Sequence, residues 1–259
     1  HFSYMSAYWR EKSPADPEDY RLPAIVVYPG GGYQHLSPRE AEPIAMEFAA
    51  AGYQVFVLYY SLAPKRYPAP LLDGARALAA IREHAEEWCV DPARIAVCGF
   101  SAGGHAAALL GCLWNDPVIA AAGISNEKAR PDAVILGYPV ITSEKGKCHE
   151  GSFESLLGEA VEEKRGAMSL ETRVNAQNPP TFLWHTAADQ AVPVVSSLRM
   201  AAALAEHKVP FELHVFPSGH HGLSLANRRT SGGNPDGELP EVAQWIKLCK
   251  DWLQRTLRG

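Results

Sequence analysis

The sequence predicts an α/β fold, a doubly wound and mostly parallel sheet with helices on both faces. Short runs of β-branched and aromatic residues recur along the chain, each followed by a stretch with apolar residues at helical spacing. These runs are almost continuously apolar, as strands buried on both faces of a parallel sheet are. With 47% hydrophobic and 20% charged residues in 259, the chain can cover such a sheet on both sides.

The strand-like runs are 24–28 (AIVVY), 55–59 (VFVLY), 95–98 (IAVC), 133–136 (AVIL), 181–184 (TFLW) and 211–216 (FELHVF), bounded by Gly or Pro. Between and after them, 39–51, 71–88, 102–113, 194–207 and 241–257 are rich in Ala, Leu, Glu and Arg and read as helices. This alternation implies right-handed crossovers and a site at the carboxyl ends of the strands. No repeat and no linker interrupts it, so residues 1–259 are expected to form a single domain. Only 138–180, polar, punctuated by Gly and weakly helical, breaks the rhythm. It is expected to be a small lid-like or cap-like insertion after the fourth central strand.

A net charge of −5 gives no global attraction to nucleic acid or to an anionic membrane, and Arg228-Arg229 is an isolated basic pair. The five cysteines are odd in number, scattered and free of any C-x-x-C pair, which argues against a disulfide framework and a zinc cluster. A reducing, cytoplasmic setting is the expectation. No run is apolar and long enough to span a membrane, and the opening HFSYMSAYWR is too polar for a signal core. Because residue 1 is His, a removed leader stays open.

The chemistry starts at Gly99-Phe100-Ser101-Ala102-Gly103, a G-x-S-x-G pattern placed between the strand IAVC and an Ala-rich helix. A serine on such a tight turn projects its hydroxyl and needs small neighbours. A serine hydroxyl is a weak nucleophile, so it requires a base, and the base requires an orienting carboxylate. On this type of turn the chain order is serine, acid, histidine. Asp189 follows the strand at 181–184, and His220-His221-Gly222 follows the strand at 211–216. Read alone, Asp189 also suits a helix cap or an Asx turn. Asp116 and Asp132 precede strands rather than follow them, and Asp73 precedes the serine and reads as structural.

Of the two histidines, His221, immediately before Gly222, is the expected base, with His220 as the fallback. Adjacent histidines diverge and have no Asp, Glu or Cys at ligand spacing, so no metal site is expected. His105, on the helix after the serine, reads as packed or solvent-bridging, and His185 and His214 read as core or sheet-face residues. The consecutive glycines of Tyr28-Pro29-Gly30-Gly31-Gly32-Tyr33 allow bare amides to approach a substrate oxygen. The loop is not a phosphate loop, since no G-K-[ST] follows, and His35 breaks G-x-G-x-x-G.

Taken together, PGGGY (29–33), GFSAGGH (99–105), Asp189 with Val192-Pro193 and G-x-H-G (219–222) resemble the small microbial acetyl esterases and acetylxylan esterases of the α/β-hydrolase superfamily. Residues 60–64 (YSLAP), 67–70 (YPAP) and Asp73 resemble the matching segment of hormone-sensitive-lipase-like esterases. The likeness runs from Ala24 to Leu257. It implies Ser101 as nucleophile, Asp189 as acid, His221 as base, and an oxyanion hole from Gly31, Gly32 and Ala102. Pro29 stands where hormone-sensitive-lipase-like enzymes carry His, which favours the acetyl-esterase branch.

The expected reaction is acyl transfer through an acyl-serine, without a cofactor, removing acetyl from a small-molecule or oligosaccharide ester. Tyr33, leaving the glycine loop, is expected to limit the acyl pocket. Two other readings stay open. A prolyl-oligopeptidase-type serine peptidase shares the fold and triad but normally carries a large extra domain, for which 259 residues leave no room. A non-catalytic binding scaffold commonly lacks one of the three residues, and none is missing here. Oligomeric state, including a homo-oligomer, is left open.

Overall fold

A computed structural model describes residues 3–258. Seven strands form one sheet: β1 (Tyr4–Tyr8), β2 (Leu22–Tyr28), β3 (Gln54–Tyr59), β4 (Val90–Phe100), β5 (Ala133–Gly137), β6 (Thr181–Thr186) and β7 (Phe211–Phe216). Their order is β1-β3-β2-β4-β5-β6-β7, and every pairing is parallel except β1 with β3. The reversal of order beside β2 makes the crevice between β2 and β4 the place where a doubly wound sheet presents a site.

The central strands are apolar throughout because both faces are covered. Along β2, Ala24, Val26 and Tyr28 point to one core and Ile25 and Val27 to the other. On the first face lie α2 (Ala69–Glu83), α3 (Ala102–Leu113) and α8 (Val195–Glu206), contributing Leu71, Leu78, Leu109, Leu110, Met200 and Leu204. On the second face α1 (Glu42–Ala49) supplies Ile44 and Phe48. There it is joined by α9 (Pro240–Ala243) with Val242, and by α10 (Trp245–Thr256) with Trp245, Trp252 and Leu253. Helices α4 (Pro117–Ala121) and α5 (Asn126–Ala129) connect α3 to β5. Asp116 caps α4 through the amide of Val118 at 2.9 Å, and Asp132 accepts the Ile95 amide at 2.9 Å; both are structural.

Two features depart from the sequence reading. Tyr4–Tyr8 is a strand, an edge element paired antiparallel to β3 in the register Tyr4↔Tyr59 and Tyr8↔Val55. The segment 138–180 is more helical and less polar than expected. It holds α6 (Glu150–Leu157), α7 (Val161–Lys164) and several 3-10 turns, with Phe153, Leu156, Met168 and Leu170 buried on its underside. These side chains join the core that contains α3, so the segment is docked onto the sheet's first face.

Candidate active site

The loops that leave the carboxyl ends of β2, β4, β6 and β7 bring Gly31, Ser101, Asp189 and His221 to one end of the sheet. Ser101 is held at φ 54°, ψ −122°, a conformation that a side-chain-bearing residue adopts only when its surroundings impose it. Here the Ser101 amide donates to the Gly137 carbonyl at 3.0 Å, while its own carbonyl accepts the amides of His105 and Val140. Close packing behind the turn explains the small residues: any Cβ at Gly103 would collide with the Tyr28 and Pro29 carbonyls.

Asp189 Oδ2 lies 2.6 Å from His221 Nδ1, and His221 Nε2 lies 2.8 Å from Ser101 Oγ. A carboxylate only accepts, so Nδ1 carries the proton and Nε2 is left to accept from the serine hydroxyl. Asp189 is buried, and its Oδ1 accepts the amides of Ala191 and Val192, both at 2.9 Å. Burial pushes its carboxyl upward, but the hydrogen bonds from His185 and His221 outweigh that and hold it well below the usual carboxylate range.

His185 is therefore part of the site's support rather than only a core residue. Fully buried at the end of β6, its Nε2–H donates to the Val192 carbonyl at 2.9 Å and lies 3.4 Å from Asp189 Oδ2. Its Nδ1 accepts from Ser197 Oγ at 2.8 Å. His220 is exposed and turned away, with Nδ1 2.7 Å from the His221 carbonyl. His214 pairs with Glu212 at 2.8 Å, remote from the serine.

The glycine loop folds as a tight turn, the Gly31 carbonyl accepting the amides of Gln34 and His35. Gly31 sits at φ 131°, where a Cβ would run into the His35 carbonyl. Among the described residues no acceptor takes the amides of Gly31, Gly32 or Ala102, whereas the Gly30 amide is bound by Glu40 Oε2 at 2.8 Å. Tyr33 is a correction. With φ 60° its side chain turns off the cleft into the core, 1% exposed, and its hydroxyl donates to His105 Nδ1 at 2.8 Å. It does not face the cleft, and His105, fully buried with Nε2–H donating to the Met168 carbonyl at 3.0 Å, is packed.

The cleft over Ser101 has a volume of about 510 Å³. Beyond glycines, Ser101 and His221, its walls are Gln34, His35, Ser37, Arg39, Glu40 and His149, with no aliphatic or aromatic hydrocarbon side chain among them. Residues 149 and 151 come from the 138–180 segment, which thus forms one wall. His149 bonds Ser152 Oγ through Nδ1 at 2.8 Å, and burial together with the nearby His221 lowers its pKa.

Glu40, Arg39, His149 and Tyr138 carry no signal in the sequence that marks them for a site. Glu40 looks like an acid in a first helical turn, and Tyr138 like the residue that ends a strand. Asp73, buried and accepting the Ser61 amide at 2.8 Å, is structural as expected. Among the described residues no group of three His, Cys, Asp or Glu is placed to hold a metal ion, and no helix is long and apolar enough to cross a membrane.

A serine–histidine–aspartate constellation on this topology is shared by many hydrolases, and the chain's likeness to known families narrows it. The BD-FAE family profile matches residues 13–204. The chain belongs to the BD-FAE family. Among solved structures, this BD-FAE chain is similar to the acetyl ester-xyloside bifunctional hydrolase from Caldicellulosiruptor lactoaceticus. The two are 40% identical with a TM-score of 0.83, over 98% of this chain and 88% of that one. It is also similar to the carboxylesterase Cest-2923 from Lactobacillus plantarum WCFS1, 31% identical with a TM-score of 0.86, over 98% and 94% of the two chains. The fold is thus the α/β-hydrolase fold.

Among curated proteins, the BD-FAE chain is 38% identical over 226 residues to endo-1,4-beta-xylanase B of Butyrivibrio fibrisolvens, covering 85% of this chain and 35% of that protein. It is 28% identical over 237 residues to the acetylxylan esterase of Xylanibacter ruminicola, covering 89% and 46%. The chain therefore spans less than half the length of either curated relative.

Proposed function

We propose that this protein is a serine esterase that removes short acyl groups, acetyl above all, from a carbohydrate. The observation that carries the reading is the pairing of a complete Ser101–His221–Asp189 relay with a cleft lined by polar side chains and glycines. A lipase-like pocket buries acyl methylenes against apolar side chains, each worth about 0.8 kcal/mol. Here no hydrocarbon side chain lines the cleft to bury them against, while hydroxyl-rich alcohols find amide, hydroxyl, imidazole and guanidinium partners. The names of the similar proteins, an acetyl ester-xyloside hydrolase and an acetylxylan esterase, point to the same substrate class.

In this reading His221 Nε2 takes the Ser101 proton as the oxygen attacks the ester carbonyl. The resulting oxyanion is held by the amides of Ala102 and of Gly31 or Gly32. Asp189 fixes the ring's tautomer and stabilises the imidazolium, which then protonates the departing alcohol. Water, deprotonated by His221, finally releases the acid and restores Ser101. No cofactor enters any step, and the substrate is an ester of a small molecule or oligosaccharide.

The test is acetate release from acetylated xylo-oligosaccharides alongside p-nitrophenyl acetate, with a proline p-nitroanilide as the peptidase control. Acetate release that falls by about a million-fold in Ser101→Ala, with unchanged circular dichroism, supports the assignment. Turnover of the anilide but not the esters would replace it with the peptidase reading.

A further inference from the structure

An arginine stands at the cleft without an ion-pair partner among the described residues. Arg39 lies on the 3-10 turn Pro38–Glu40, where its carbonyl accepts Ser224 Oγ–H at 2.6 Å and pins the backbone. Its guanidinium is exposed and reaches only the Thr230 carbonyl, at 3.3 Å, making no ion pair among the described residues. By contrast, Arg165 in the 138–180 segment is paired with Glu150, and Arg199 on α8 with Glu144. Among the described residues the one carboxylate lining the cleft, Glu40, has both oxygens engaged inward, by the Gly30 amide and the Tyr138 hydroxyl. The remaining polar walls are neutral or imidazole, so among the described residues Arg39 is the one guanidinium or ammonium lining the cleft, and its donors are not taken up by a carboxylate.

The position of this charge says which part of a substrate meets it. A Cβ at Gly222, the residue after His221, would lie 3.5 Å from Arg39 Nη2. Under the reading above His221 hands its proton to the departing alcohol, so a group beside His221 contacts the alcohol side of the ester. A guanidinium offers paired donors in a plane that matches a carboxylate.

We propose that Arg39 forms an anion subsite for a carboxylate on the alcohol portion, so that the preferred substrate is an acetylated chain bearing an acidic sugar. The proposal rests on the carbohydrate-ester reading. The cleft is larger than an acetyl group requires, which leaves room for that sugar beside the scissile bond.

Binding and turnover are measured separately. Ser101→Ala protein is titrated calorimetrically with a neutral xylo-oligosaccharide and with the same oligosaccharide carrying a glucuronic acid branch. The wild type and Arg39→Gln are then compared for acetate release from the acetylated forms of both. At low ionic strength the acidic ligand is expected to bind about tenfold tighter, with the margin shrinking as salt is added. In Ser101→Ala/Arg39→Gln the margin is expected to vanish, and Arg39→Lys should restore part of it. In turnover the acid-to-neutral ratio of kcat/KM should fall about tenfold in Arg39→Gln, and because each variant is its own reference, general damage cancels. Equal binding of the two ligands, no binding of the acidic one, or a preference that survives Arg39→Gln overturns the subsite. A preference in binding without any acetate release keeps the subsite and instead removes the deacetylase reading.

Discussion

Glu40 and Tyr138 meet in a buried hydrogen bond, the phenol donating to Oε1 at 2.6 Å. The other carboxylate oxygen accepts the Gly30 amide at 2.8 Å, and the Tyr138 ring stands edge-on to His221 with centroids 5.0 Å apart. A Cβ at Gly30 would lie 2.7 Å from Glu40 Oε2 and 3.0 Å from Ser101 Cβ, so this carboxylate sits close behind Ser101. It ties the glycine loop to the ring that packs against His221.

Glu40→Gln is therefore expected to damage both stability and activity. Glutamine keeps one acceptor but sets an NH2 group against either the Gly30 N–H or the phenol, leaving a buried donor unsatisfied at a cost of about 1–3 kcal/mol. Urea unfolding should read that loss. As the loop loses its anchor, kcat/KM for p-nitrophenyl acetate should fall about tenfold or more. A variant as stable and as active as the wild type would remove Glu40 from this role.

The two adjacent histidines should behave oppositely. His221→Ala removes the group 2.8 Å from Ser101 Oγ and should lower kcat to near the Ser101→Ala level. His220→Ala, with its exposed ring bonded only to the His221 carbonyl, should keep most activity. Steady-state kinetics on one ester decides, and the reverse result would move the base by one residue.

The residues most legible in the sequence are those where fold geometry demands one residue type at one strand end. Ser101 needs small neighbours on a strand-to-helix turn, and Asp189 and His221 each follow a strand in the required order. What the chain does not display locally is what tertiary folding brings back. Glu40, Arg39 and His149 reach the cleft because the 3-10 turn and the 138–180 segment fold over it. The edge strand Tyr4–Tyr8 is partly exposed and short, so it lacks the continuous apolar run of its buried neighbours. Tyr33 was misplaced because spacing gives its position in the loop but not its φ of 60°, which sends the ring into the core.

That correction changes the origin of acyl selectivity. In the deacetylase reading proposed above, short acyl groups are favoured because no hydrocarbon side chain lines the cleft, not because Tyr33 blocks it. An apolar pocket would raise kcat/KM about fourfold per added methylene, following about 0.8 kcal/mol of burial. We expect p-nitrophenyl acetate to equal or exceed the butyrate and hexanoate instead. Tyr33→Ala should leave that profile unchanged while costing about 3–5 kcal/mol of stability through lost core packing. A steady rise toward hexanoate, or a profile reshaped by Tyr33→Ala, would contradict this account.

The partner of Tyr33 sets an acid limit on the fold. His105 is fully buried, its Nε2–H donates to the Met168 carbonyl, and its Nδ1 accepts the Tyr33 hydroxyl, an arrangement that requires the neutral ring. Burial accordingly lowers its pKa from the ordinary 6.5 to about 4. A histidine depressed in the folded state binds its proton more readily when unfolded. The fold therefore loses stability as pH falls from 6.5 toward 4, and none of this effect remains to be lost below that window. At about 1.4 kcal/mol per unit the loss across the window is about 3 kcal/mol. His105→Gln keeps a donor for the Met168 carbonyl but does not titrate there, so its urea midpoint should change less between pH 7 and pH 4 than the wild type's. Equal acid sensitivity in the two proteins would show that another group sets the limit.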